Sequence, residues 1–85
     1  MEERIGFVGI VVEEMESVPA VNAILSDFSG MIRGRIGIPD RERGVSVITV
    51  VVYGTSDRLG AMTGKLGSLK GVQVKSALTQ ARVHE

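Results

Sequence analysis

The sequence predicts an α+β sandwich of one domain, residues 1–85, in the order β-α-β-β-α-β. Three observations carry that expectation. Four runs rich in β-branched residues are interrupted by two segments of helical periodicity; the two β-α-β halves are similar in length; and the first and third runs are apolar on both faces. Those two runs belong at the centre of a four-stranded antiparallel sheet that carries both helices on one face, the ferredoxin-like arrangement.

Arg4 to Val12 is a run of strand length, ended by the charged Glu13-Glu14-Met15-Glu16. Ser17 can cap the first helix, Pro19 fits its first turn, and Val21, Ile24, Leu25 and Phe28 recur at i, i+3, i+4 and i+7. Gly30 is the expected stop. Met31 to Ile38 alternates, which assigns Ile32, Gly34, Ile36 and Ile38 to one face of a strand and Arg33, Arg35 and Gly37 to the other. After a polar connector from Pro39 to Gly44, the segment Val45 to Tyr53 gives the strongest strand signal in the chain. Thr55 or Ser56 caps a second helix that ends near Gly67, with Leu59, Met62, Leu66 and Leu69 on its core stripe. Gly71 to Leu78 alternates again, with Val72, Val74 and Leu78 opposite Gln73 and Lys75.

A sheet covered on one side needs only one apolar face. The central strands have two, so a valine-rich stripe bordered by Arg33, Arg35, Gln73 and Lys75 is expected on the helix-free side. Exposed stripes of this kind mark association surfaces. The expectation is a homo-oligomer, dimer or tetramer; the alternative is a parallel or shuffled sheet covered within one chain. Assembly would also help a chain of 85 residues, since a domain of this size buries only about 60% of its unfolded surface.

The second helix carries Gly60, Gly64 and Gly67 on a stripe roughly 150° from its core stripe, by the ~100° per residue rule. An interior glycine costs a helix about 1 kcal/mol relative to alanine. Close approach of a partner backbone or a ligand would account for the stripe; a weak helix fraying at its end is the alternative. Around the second strand, Arg33, Arg35, Arg41 and Arg43 form a basic group able to clamp a carboxylate or phosphate, or simply to guard an edge strand with charge. The candidate ligand or subunit surface is therefore Arg33, Arg35, Arg41, Gly60, Gly64, Lys65 and Gly67.

Other chemistry finds little support. With no Cys there is no thiolate nucleophile or thiolate metal site, and the serines have no evident base, so the chain is expected not to be an enzyme. No metal or cofactor is expected: His84 lies near the end of the chain, and Glu13, Glu14 and Glu16 read as a solvated turn. Gly64-Lys65-Leu66-Gly67 differs from a phosphate loop in spacing, in having Leu66 at the hydroxyl position, and in lying at a helix end, where carbonyls rather than donors are presented. Ten acidic residues balance ten basic ones, and Val45 to Tyr53 offers only Tyr53 for base stacking, so nucleic acid is not an expected partner. No run approaches the ~18 apolar residues of a membrane span, and Met1-Glu2-Glu3-Arg4 lacks the basic start of a signal peptide. The expected location is the cytoplasm.

Several segments together resemble a known family. They are Val11-Val12-Glu13, Asn22, Phe28-Ser29, Arg35-Ile36-Gly37-Ile38-Pro39 with Arg41, Gly60-Ala61-Met62-Thr63-Gly64-Lys65-Leu66-Gly67, and Gly71-Val72-Gln73-Val74-Lys75. The chain resembles the iron-only hydrogenase system regulators, whose fold is similar to ACT domains and to the C-terminal domain of nickel-responsive repressors. The resemblance implies an ACT-like fold, an oligomeric habit, and a regulatory or small-ligand-sensing role with an effector at a subunit interface. Nickel sensing does not transfer, because the chain has no Cys and only His84. Where ACT domains commonly carry a glycine after the first strand, this chain reads Glu13-Glu14-Met15-Glu16-Ser17. The alternative function is a protein-binding or maturation accessory without a small-molecule ligand.

Overall fold

The computed structural model describes residues 3–79. Four strands and two helices follow the expected order: β1 (Glu3–Val12), α1 (Val18–Asp27), β2 (Ile32–Asp40), β3 (Val45–Thr55), α2 (Ser56–Gly67) and β4 (Val72–Leu78). The sheet order is β2-β3-β1-β4, and every neighbouring pair is antiparallel. This is the ferredoxin-like α+β arrangement, with the two doubly apolar strands at the centre. No described helix is long and apolar enough to cross a membrane.

Alternation along the central strands divides their side chains between two surfaces. Val8, Ile10 and Val12 of β1 and Ile48, Val50 and Val52 of β3 are buried against Val21 and Leu25 of α1 and Leu59, Met62 and Leu66 of α2. The register sets Val8 opposite Val50 and Ile10 opposite Ile48, so these pairs share the helix-covered face. Two glycines leave room for close neighbours, one outside the sheet and one on the adjacent strand. A Cβ at Gly54 would approach the Met31 Sδ to 2.6 Å, and one at Gly6 would run into the backbone carbonyl of Ala77. At Gly71, which opens β4, φ is +70°, a conformation suited to glycine.

Helix ends follow local chemistry with one departure. The Thr55 hydroxyl caps α2 by accepting from the Arg58 backbone N–H at 3.3 Å. Ser17 sits at the start of α1 but makes no side-chain cap. Its buried hydroxyl instead donates to the Lys70 carbonyl at 2.8 Å, tying the β1–α1 connection to the α2–β4 loop. Helix α1 closes at Asp27, earlier than Gly30, because the chain tightens into a short 3₁₀ turn over Ser29–Met31.

Strand β2 departs most from the expected pattern. It extends through Pro39 to Asp40, which an edge strand tolerates, and its register shifts between Ile32 and Gly34. A one-residue irregularity reverses which side chains face which side. Ile32 packs against the core, whereas Ile36 and Ile38 lie opposite Thr49 and Val47 on the helix-free face and are 65% and 61% exposed. Arg35 moves the other way. It pairs with Val50, and its Nη2 donates to the Asn22 Oδ1 of α1 at 2.6 Å. The border of the open face therefore carries two isoleucines where Arg35 was expected.

Candidate functional site: the helix-free sheet face and its rim

The helix-free face collects the exposed large apolar side chains of three strands. Ile5 and Phe7 come from β1, Val47 and Val51 from β3, and Ile36 and Ile38 from β2; Phe7 is 53% exposed. On the central strands the positions follow from strand period, since Phe7, Val47 and Val51 each neighbour a buried residue; on β2 the register shift between Ile32 and Gly34 brings Ile36 and Ile38 to the same face. Gly9 lies opposite Thr49 on one side and Lys75 on the other, so the middle of the surface is low. Polar groups lie toward β4, where the Gln73 amide donates to Glu13 at 3.1 Å and Lys75 is exposed. Nothing within the described residues covers this face.

The residues expected to form one ligand or subunit surface do not converge within a single chain. Arg33 sits at the β2 irregularity, with its Nη1 donating to the Gly30 carbonyl at 3.1 Å and its guanidinium 5.4 Å from the Tyr53 ring centroid. Arg35, on the opposite side of the strand, lines a 320 Å³ hollow with Asn22, Ser26 and Ser29. Arg41 lies in the β2–β3 turn beside Met15 and Pro39. Eight residues of strand rise separate Arg33 from Arg41, roughly 26 Å. Arg43 is occupied by Asp40, with Nη1 to Oδ2 at 2.8 Å.

The glycine stripe is exposed on α2, and a Cβ built at Gly60, Gly64 or Gly67 meets no atom within 4 Å in the same chain. Lys65 stands apart from that stripe. Its Nζ is 5.8 Å from the Phe28 ring centroid, and Arg58 lies 5.4 Å from the same ring, so both cations flank the α1 end rather than the glycines. His84 lies outside the described residues. Among the described residues, no group of three His, Cys, Asp or Glu side chains is arranged to hold a metal ion.

Sequence reasoning passed over Arg58. The end of β3 and the start of α2 bring it to a 360 Å³ hollow lined also by Arg33, Tyr53 and Thr55. Tyr53, Thr55 and Arg58 are close in sequence, but Arg33 comes from β2 and joins them only through sheet order, which nothing local in the sequence marks.

Comparison with known proteins agrees with the topology. Residues 4–76 match the TM1266-like family, described as iron-only hydrogenase system regulators. No curated protein matches the chain. Among solved structures, the chain is similar to the uncharacterized protein TM1266 from Thermotoga maritima, with 36% identity, a TM-score of 0.88, and coverage of 93% of this chain and 100% of that one. With the family matched over nearly the whole described fold and a related structure superposing throughout, this chain belongs to the TM1266-like family of iron-only hydrogenase system regulators.

Proposed function

We propose that the chain is a non-enzymatic regulatory module of the iron-only hydrogenase system, working in the cytoplasm as a ligand-sensing homo-oligomer whose subunits meet through the helix-free sheet face. The observation that carries this reading is the row of exposed apolar side chains, Ile5, Phe7, Val47, Val51, Ile36 and Ile38, on a sheet whose other face is already a complete core. A second copy is the occupant that fits. Four strands at about 4.8 Å spacing and about eight residues of length give a footprint of roughly 500 Å². Two such surfaces in contact bury on the order of 1,000 Å² in total, the level a specific protein pair needs to reach. Sheets stack face to face at about 10 Å with interdigitated side chains, and a two-fold axis lets each Phe7 meet the same apolar surface on its mate.

Regulation by binding also suits the residue chemistry. Arg33, Arg35 and Arg58 are held by carbonyl, amide and ring partners, and among the described residues no nucleophile–base pair is formed. Sedimentation velocity at micromolar concentration tests the assembly; the expected species is a dimer or tetramer, and a monomer would refute it. A thermal-shift screen over amino acids, nucleotides and divalent metals tests the sensing. A true effector at a hundredfold excess over its dissociation constant adds about 2.7 kcal/mol of stability. An assembled protein that responds to no small molecule but captures one hydrogenase-system protein would favour the accessory role instead.

A further inference from the structure

We infer that the hollow at the β3–α2 junction, lined by Arg33, Arg58, Tyr53 and Thr55, is a binding site for a small oxyanion, a phosphate or carboxylate group. The inference rests on the ligand-sensing part of the proposed function; the hollow adjoins the open face at Tyr53, which pairs with Ile5, and the test reads assembly separately. Its volume, 360 Å³, admits a ligand of that size. Two guanidinium groups from different elements line it, and among the described residues neither is in an ion pair.

Both are held without being neutralised. Arg33 is fixed by the Gly30 carbonyl at 3.1 Å and by the face of Tyr53, and Arg58 lies over Phe28. Partners of this kind restrict the side chain while leaving its charge unmatched, so an incoming oxyanion meets planar donors already in place. One acidic side chain, Glu3, also lines the hollow, yet it stands beyond ion-pair distance of both arginines. Its carboxylate opposes an anion. Arg33 and Glu3 should therefore have opposite effects on anion binding.

The test is titration of the full chain with inorganic phosphate and, separately, with succinate, at constant ionic strength, read by calorimetry and by amide chemical shifts. Saturable binding of at least one is expected, with shifts centred on Gly30, Gly54 and Arg58. Arg33→Gln and Arg58→Gln should each weaken it by about tenfold or more, the scale of a lost charge-assisted contact. Glu3→Gln should tighten it, and Arg41→Gln, in the remote β2–β3 turn, should leave it unchanged. Preference between the two probes assigns the phosphate or the carboxylate class. Absence of saturable binding to both probes, loss in only one of the two arginine variants, or equal loss in Arg41→Gln would overturn the site. Sedimentation of the same samples separates the outcomes: intact oligomers without anion binding refute this site alone, and anion binding by a monomer refutes the assembly alone.

Discussion

The two faces of the sheet are built from the same residue types on the same strands, yet one is a core and the other is a surface. Val8 and Val50 are fully buried beneath the helices, whereas Phe7 and Val51, their immediate neighbours in sequence, are 53% and 43% exposed. Strand period puts them on opposite sides, and helix position decides which side water reaches. The covered face explains why this chain folds. On the proposed assembly a second copy covers the open face, removing a row of valine, isoleucine and phenylalanine from water.

Substitutions on the two faces should therefore separate assembly from folding. Phe7→Glu has the largest expected effect. Each copy loses about 1.5–3 kcal/mol of apolar burial, so a symmetric pair loses enough to raise its dissociation constant at least about a hundredfold. The protomer should stay folded, with an unchanged circular dichroism spectrum and a monomeric mass. Leu66→Ala gives the complementary result, because Leu66 is fully buried beneath α2. Loss of its side chain should cost about 2–5 kcal/mol of stability, a large share of what a small domain has, and lower the urea midpoint.

Gly64→Ala sharpens the comparison at the outer layer. Nothing in the chain lies within 4 Å of the added methyl, so helix propensity and a less flexible unfolded state should stabilise the protein by about 0.4–1 kcal/mol. Assembly should not change. If the variant instead dissociates or loses stability, a second chain or a ligand contacts the glycine stripe as well. Arg35→Ala is expected to do least, about 1 kcal/mol or less, since its 2.6 Å bond to Asn22 is exposed to water. Denaturant melts measure both.

Much of this architecture was legible in the sequence, for physical reasons that differ by element. β1 and β3 announce themselves because fully apolar runs of β-branched residues have few other places to go, and Thr55 caps α2 as its hydroxyl chemistry predicts. In β2 the alternation predicts correctly that Gly34, Ile36 and Ile38 share one face and Arg35 and Gly37 the other, but Ile32 leaves that set and the isoleucines, not Arg35, join the open face. The letters of β2 alternate through Ile32, Arg33, Gly34 and Arg35 without interruption, and an irregularity that shifts the register by one residue leaves no mark in that alternation. The consequence is functional, since it replaces Arg35 by Ile36 and Ile38 at the border of the open face. The candidate site was legible only in part. Arg33 was singled out, but its meeting with Arg58 depends on β3 leading into α2 beside the β2 irregularity, a relation of topology rather than of spacing. Glycines were equally ambiguous by sequence. Gly6 and Gly54 are sterically confined, whereas Gly60, Gly64 and Gly67 face open space.

The claim that a second copy covers the open face can be tested directly, because the natural chain has no cysteine. A single thiol placed by Val51→Cys on that face reports its accessibility through the rate of alkylation. If two copies stack there, the thiol in the otherwise wild-type chain should react about tenfold or more slowly than the same thiol in a Phe7→Glu background, where the face is released. Equal rates in the two backgrounds, with both proteins folded, would mean that the face is open to water in both and would contradict the account.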